Sequence, residues 1–88
     1  MRKRRRLVAN IIHQRIAALS RLSRPELESL HGRPEQHLVM GDDQRPYLMT
    51  SVVMRRPGGE FWVHVCVATG GWDQDVPIVR SAALTSPS

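Results

Sequence analysis

Apolar residues recur at intervals of three and four from Leu7 to Leu22 and at intervals of two after Arg33-Pro34. That single change of period restricts the chain to helices followed by strands, an α+β arrangement. In the first segment Val8, Ile11, Ile12, Ile16, Leu19 and Leu22 share one helical face. Ser23 is placed to cap a second, short helix from Arg24 to Leu30: Pro25 falls in the first turn, Glu26 stands at the capping-box position, and Gly32 supplies the stop.

The second half reads as strands and turns. Gln36 to Met40 predicts a short strand, Gly41-Asp42-Asp43 a turn, and Pro46 to Arg56 a longer strand with Leu48, Thr50, Val52 and Met54 on one face. Pro57-Gly58-Gly59-Glu60 is a strong hairpin signal, since adjacent glycines supply the positive φ angles that tight turns need. The strand from Phe61 to Thr69 alternates most cleanly, with Phe61, Val63, Val65 and Val67 on one face and Trp62, His64, Cys66 and Ala68 on the other. Gly70 to Asp75 is expected to form a loop, Val76 to Leu84 a last strand, and 85–88 a frayed end.

The expected fold is therefore an N-terminal helix, with a short second helix, packed on a three- to four-stranded antiparallel meander spanning residues 7–84. The valine-rich face of the Phe61 strand should meet the helix. Trp62, His64 and Cys66, joined by Tyr47, Met49 and Val53 of the neighbouring strand, should then point away from it. That second face is too apolar to be indifferent to water, and is either covered or used for binding.

Charge divides the chain differently. Arg2-Lys3-Arg4-Arg5-Arg6 holds five of the thirteen basic residues, and without it eight remain, equal to the eight Asp and Glu. The net charge of +5 thus belongs to residues 1–6, expected to be a disordered arm on a neutral body. Clustered arginines bind phosphate by charge, so this arm is the candidate nucleic-acid contact. No helix-turn-helix glycine turn, zinc-ligand set or RNP-like aromatic motif accompanies it, which favours backbone contact over base reading.

Several classes are disfavoured. The apolar run behind the basic block ends at Ile12, too short for a secretory signal, and no stretch approaches a membrane span. A single cysteine, Cys66, excludes an internal disulfide framework and fits a cytoplasmic setting. His13, His31, His37 and His64 lack metal-ligand spacing, and Asp73-Gln74-Asp75 lacks the further oxygens of a cation loop, so neither a metal nor another cofactor is expected. His64 and Cys66 share a strand face, but i, i+2 Cα atoms lie about 6.5 to 7 Å apart and no orienting group is evident, so a thiolate–imidazolium enzyme is poorly supported.

The remaining candidates belong to a protein interface. Arg15 falls on the apolar face of the first helix, where a cation must snorkel, meet a carboxylate such as Glu26 or Glu28, or face a partner. Trp72 beside two glycines, with Trp62 and Tyr47, suits the anchor of a protein contact. Stacking of single-stranded bases there would need either the arm or Arg45, Arg55, Arg56 and Arg80 as a phosphate track. The sequence thus predicts a non-enzymatic binding module with contact residues Arg15, Tyr47, Trp62, His64 and Trp72, self-association included, and an electrostatic arm for nucleic acid. The other reading is a regulator, inhibitor or subunit of a protein assembly with no nucleic-acid role.

Overall fold

The computed structural model describes residues 2–69 and 77–84. The expected loop from Gly70 to Asp75, with Trp72 and Asp73-Gln74-Asp75, and the expected frayed end at 85–88 lie outside the described residues. Two helices, α1 (Arg2–Ser20) and α2 (Arg24–Leu30), precede four strands, β1 (Glu35–Met40), β2 (Pro46–Arg55), β3 (Phe61–Thr69) and β4 (Ile78–Leu84). The strands form one antiparallel sheet in chain order, a meander.

The first helix begins earlier than expected. Residues 2–6, where charge suggested a disordered arm, are helical and continuous with the rest of α1. Arginine and lysine lose little rotamer freedom in a helix, which offsets the unfavourable placing of cations at the positive end of the helix dipole. At the other end, N–H groups of Arg21 and Leu22 bond to Ala18 and Leu19 carbonyls and tighten the last turn. Ser23 then caps α2 through a complete capping box with Glu26; His31 leaves helical geometry at ψ 126°, and Gly32 follows at φ +74° with its N–H donating to the Val53 carbonyl of β2. The carboxylate of Glu26 titrates below its ordinary range because it accepts hydrogen bonds from the side chain and backbone of Ser23.

Both described hairpins close in the same way. In the β1–β2 turn the Gly41 N–H bonds to the Arg45 carbonyl and the Gln44 N–H to the Gly41 carbonyl; in the β2–β3 turn Arg56 bonds Glu60 and Gly59 bonds Arg56. Each is a three-residue loop whose last residue is left-handed, Gln44 at φ 62° and Gly59 at φ 86°. Only one of the two adjacent glycines therefore uses a positive φ.

This loop length overturns one expectation. A two-residue turn on Gly58-Gly59 would set Val53 opposite His64, whereas the observed turn sets Val53 opposite Val63 and Ser51 opposite Val65. A one-residue change of register moves a whole strand to the other face. Tyr47, Met49, Ser51 and Val53 accordingly lie with the valine row of β3 beneath the helices, not with Trp62 and His64.

The core gathers Val8, Ile12 and Leu19 of α1, Leu27 of α2, Tyr47, Met49 and Val53 of β2, the four inward residues of β3, and Leu84. Full burial of each valine or leucine contributes roughly 1.5 to 3 kcal/mol. Arg24 ties α2 to the β2–β3 turn by donating to the Gly59 carbonyl and lying over the Phe61 ring.

Two substitutions in the β1–β2 turn test this geometry by thermal unfolding. A methyl at Gly41 would sit 2.7 Å from Tyr47 and 2.9 Å from Leu7, so Gly41→Ala should cost about 1 to 3 kcal/mol. Gln44→Gly removes a left-handed non-glycine residue and should stabilise the protein by roughly 0.5 to 1 kcal/mol.

Candidate functional site

The helices cover one face of the sheet, and the pairing register defines the other. Its cross-strand rows are Leu38, Leu48 and Ala68; Gln36, Thr50, Cys66 and Val79; Val52, His64 and Ser81; and Met54, Trp62 and Ala83. Among them Leu38 is 71% exposed, Val79 56% and Leu48 36%, and Met40 beyond the first row is 65% exposed. No Asp, Glu, Lys or Arg occupies any of these positions. The charged strand residues Glu35, Arg55 and Arg80 all have the opposite parity, in the rows that face the helices.

That distribution inverts the usual one. An antiparallel sheet with one solvated face normally alternates apolar-in and polar-out, because charge costs nothing in water. Here the solvated face is the uncharged one.

Two of the polar groups on this face have partners within it or at its rim. The Trp62 indole N–H donates to Glu60, and Arg56 stacks on the ring with its guanidinium carbon 3.9 Å from the centroid. His64 Nδ1 shares a hydrogen bond with Ser81 Oγ on β4, so the imidazole is oriented toward Ser81 and not paired to Cys66, which is half-buried in the neighbouring row. Of the expected contact residues, Trp62 and His64 thus lie on the open face, and Trp72 lies outside the described residues.

Tyr47 and Arg15 are placed elsewhere. Tyr47 is fully buried under the helix, with its hydroxyl donating to Asp43 Oδ2 at 2.8 Å, and so belongs to the core and not to a surface platform. Arg15 reaches from α1 across β2 to β1, its Nε donating to Ser51 Oγ at 3.2 Å and its Nη2 meeting Glu35 Oε1 at 3.1 Å. The carboxylate that the sequence required for Arg15 is therefore Glu35; Glu26 serves the α2 cap and Glu28 pairs with Arg55. Ser51, only 2% exposed, gains from Arg15 the partner that a buried hydroxyl needs.

The basic block sits at the far end of α1. Arg5 and Arg6 are exposed, one turn before Val8 enters the core, and Leu7 packs beside Gly41 and Tyr47. Being on the helical layer, this end of the chain lies on the opposite side of the sheet from the uncharged face. Among the described residues no cluster of three His, Cys, Asp or Glu is arranged to hold a metal, and no helix is long and apolar enough to cross a membrane.

Desolvation opposes ionisation of Asp43, but the bonds it accepts from Tyr47, Arg45 and its own N–H, with the charge of Arg45, outweigh it and hold the pKa below the ordinary 3.8. A carboxylate depressed in this way contributes stability above that ordinary value and loses it as pH falls through the folded-state pKa. Tyr47→Phe should therefore raise the Asp43 pKa, read by NMR titration of its carboxyl carbon. Arg15→Met should cost about 1 to 2 kcal/mol in urea unfolding, and adding Ser51→Ala should cost less than the separate changes imply, because the two groups form one coupled unit.

Compared with known proteins, the chain matches no family model, no curated protein and no solved structure, so its site is read from its own geometry.

Proposed function

We propose that this chain is a non-enzymatic binding module that makes a protein contact through its uncharged sheet face and attaches to nucleic acid through the basic first turns of α1. One observation carries the reading: the solvated face of the sheet excludes formal charge along every strand while the helix-facing rows accept it. Burial within the fold cannot account for that exclusion, since Leu38, Met40 and Val79 are more than half exposed. A surface kept free of charge and rich in Leu, Met, Val and Trp matches the desolvated centre of a protein interface, where charged residues are depleted and Trp and Met enriched.

The basic block supports the second contact. Arg5 and Arg6 of the block are exposed on the first turns of α1, and clustered cations suit attraction to a phosphate backbone more than the reading of bases. With the two surfaces on opposite sides of the sheet, one chain engages a protein and a polyanion together. His64 takes a positioning role on the protein-facing side, through Ser81, instead of a chemical one.

Fluorescence anisotropy with labelled single-stranded RNA and double-stranded DNA across a salt series tests the attachment. The full chain should bind with a log–log slope no steeper than about −4.5 on duplex DNA, and replacing residues 2–6 with glutamine, which keeps helix propensity, should abolish binding. Leu48→Glu should leave both the circular dichroism spectrum and this binding unchanged. Unfolding of Leu48→Glu would instead assign that residue to the core, and binding that survives the glutamine replacement would move the anionic site onto the body.

A further inference from the structure

We infer that the occupant of the uncharged sheet face is a second copy of this chain, packed face to face about a two-fold axis. The inference rests on the reading of that face as a docking surface and names its partner. Charge selects the partner first. The strand positions of this face carry no carboxylate, ammonium or guanidinium, and the charged groups that touch it, Arg56 on the Trp62 ring and Glu60 at the indole N–H, stand at its rim, so a charged group brought against its middle is left unpaired and desolvated, which is costly. A second copy brings a face with the same exclusion, so the middle of the contact holds no ion from either side, and Arg56 and Glu60 stay at its rim beside Trp62.

The net charge of +5 would ordinarily set two copies against each other. In the face-to-face arrangement the basic ends of α1 lie on the outer sides of the pair. Three layer spacings of about 10 Å put them roughly 30 Å apart, more than three Debye lengths at physiological salt. The same arrangement points both basic segments outward, where two linked sites raise avidity for one polyanion without any new contact.

Area is adequate. With strands about 4.8 Å apart and outward rows about 6.7 Å apart, the positions of this face present on the order of 450 Å² of plane before the relief of protruding Leu and Met is added. Two such faces bury about 900 to 1,400 Å² in total, which reaches the lower range of specific interfaces. Sheets stack face to face at this spacing in β-sandwiches, their side chains interdigitating near −30°. Small residues Thr50, Cys66 and Ala68 stand between the larger Leu48, Met54 and Trp62, which leaves relief for such interdigitation. Burial also leaves two polar groups satisfied, because His64 is bonded to Ser81 and the Trp62 N–H to Glu60.

The test uses the full chain carrying Trp72→Phe, so that Trp62 is the sole tryptophan. Sedimentation equilibrium from about 1 to 200 μM should show twice the chain mass of 10.0 kDa, and acrylamide quenching of Trp62 should fall as dimer forms. Val52→Lys and Thr50→Glu, each in the middle of the face, should weaken dimerisation at least 100-fold with unchanged far-ultraviolet circular dichroism. A dimer that persists in a folded face variant, or that forms without protecting Trp62, places the contact on an edge strand or helix and overturns the inference. A monomer throughout overturns it as well: easy quenching of Trp62 then leaves the docking face standing with a different protein as partner, whereas a shielded Trp62 in a monomer means the chain covers its own face, and the docking reading falls too.

Discussion

The pairing of β2 with β3 decides what the rest of this molecule can be. Because the turn at Pro57-Gly58-Gly59 closes between Arg56 and Glu60, Val53 stands opposite Val63, and each alternate residue of β2 back to Tyr47 is delivered to the helical side. The core under α1 follows, and so does the placing of Ser51 where Arg15 can reach it on the way to Glu35. A sheet face that a slipped register would have filled with Tyr47 and Met49 instead carries Leu48, Thr50, Val52 and Met54.

Polarity on the two faces then has a physical logic. The helix-facing rows tolerate charge because they end at sheet edges, where Glu35 is engaged by Arg15, and where Arg80 bends back onto the Val79 carbonyl. Among the described residues the open face has no helix above it, and its strand positions carry no charge. In a domain of 88 residues, which buries only about 60 to 65% of its extended-chain surface, an additional buried face adds substantially to a thin core. The protein contact proposed for that face and the polyanion contact proposed for α1 do not compete for space, since the sheet separates them.

Much of this was legible in the residues. The helical period from Leu7, the capping box at Ser23, and the alternation from Phe61 are local signals, and local signals produced α2 and β3 at their observed bounds and α1 over all but its first turns. Parity in β2 was not legible, because a Pro-Gly-Gly-Glu turn is compatible with loops of two or three residues and the two choices exchange the faces. Tyr47 moved from the supposed platform to the core for that reason alone. The partner of Arg15 was missed because Glu35 is near it only through the folded sheet, whereas Glu26 and Glu28 were near in sequence. Residues 2–6 looked like an arm because their charge is conspicuous, while their helix propensity matters only once Val8 and Ile12 have anchored the helix. The open face did leave one signal: the strands' three charged residues, Glu35 in β1, Arg55 in β2 and Arg80 in β4, all fall on the other parity.

The most direct measurement is the register itself, read from cross-strand nuclear Overhauser contacts between β2 and β3 in solution. Contacts joining Val53 to Val63 and Ser51 to Val65 as directly opposed residues are the expected result, and with them the uncharged face stands. Contacts joining Val53 to His64 would show a two-residue turn, return Tyr47 and Met49 to the face turned away from the helices, and contradict the account at its base.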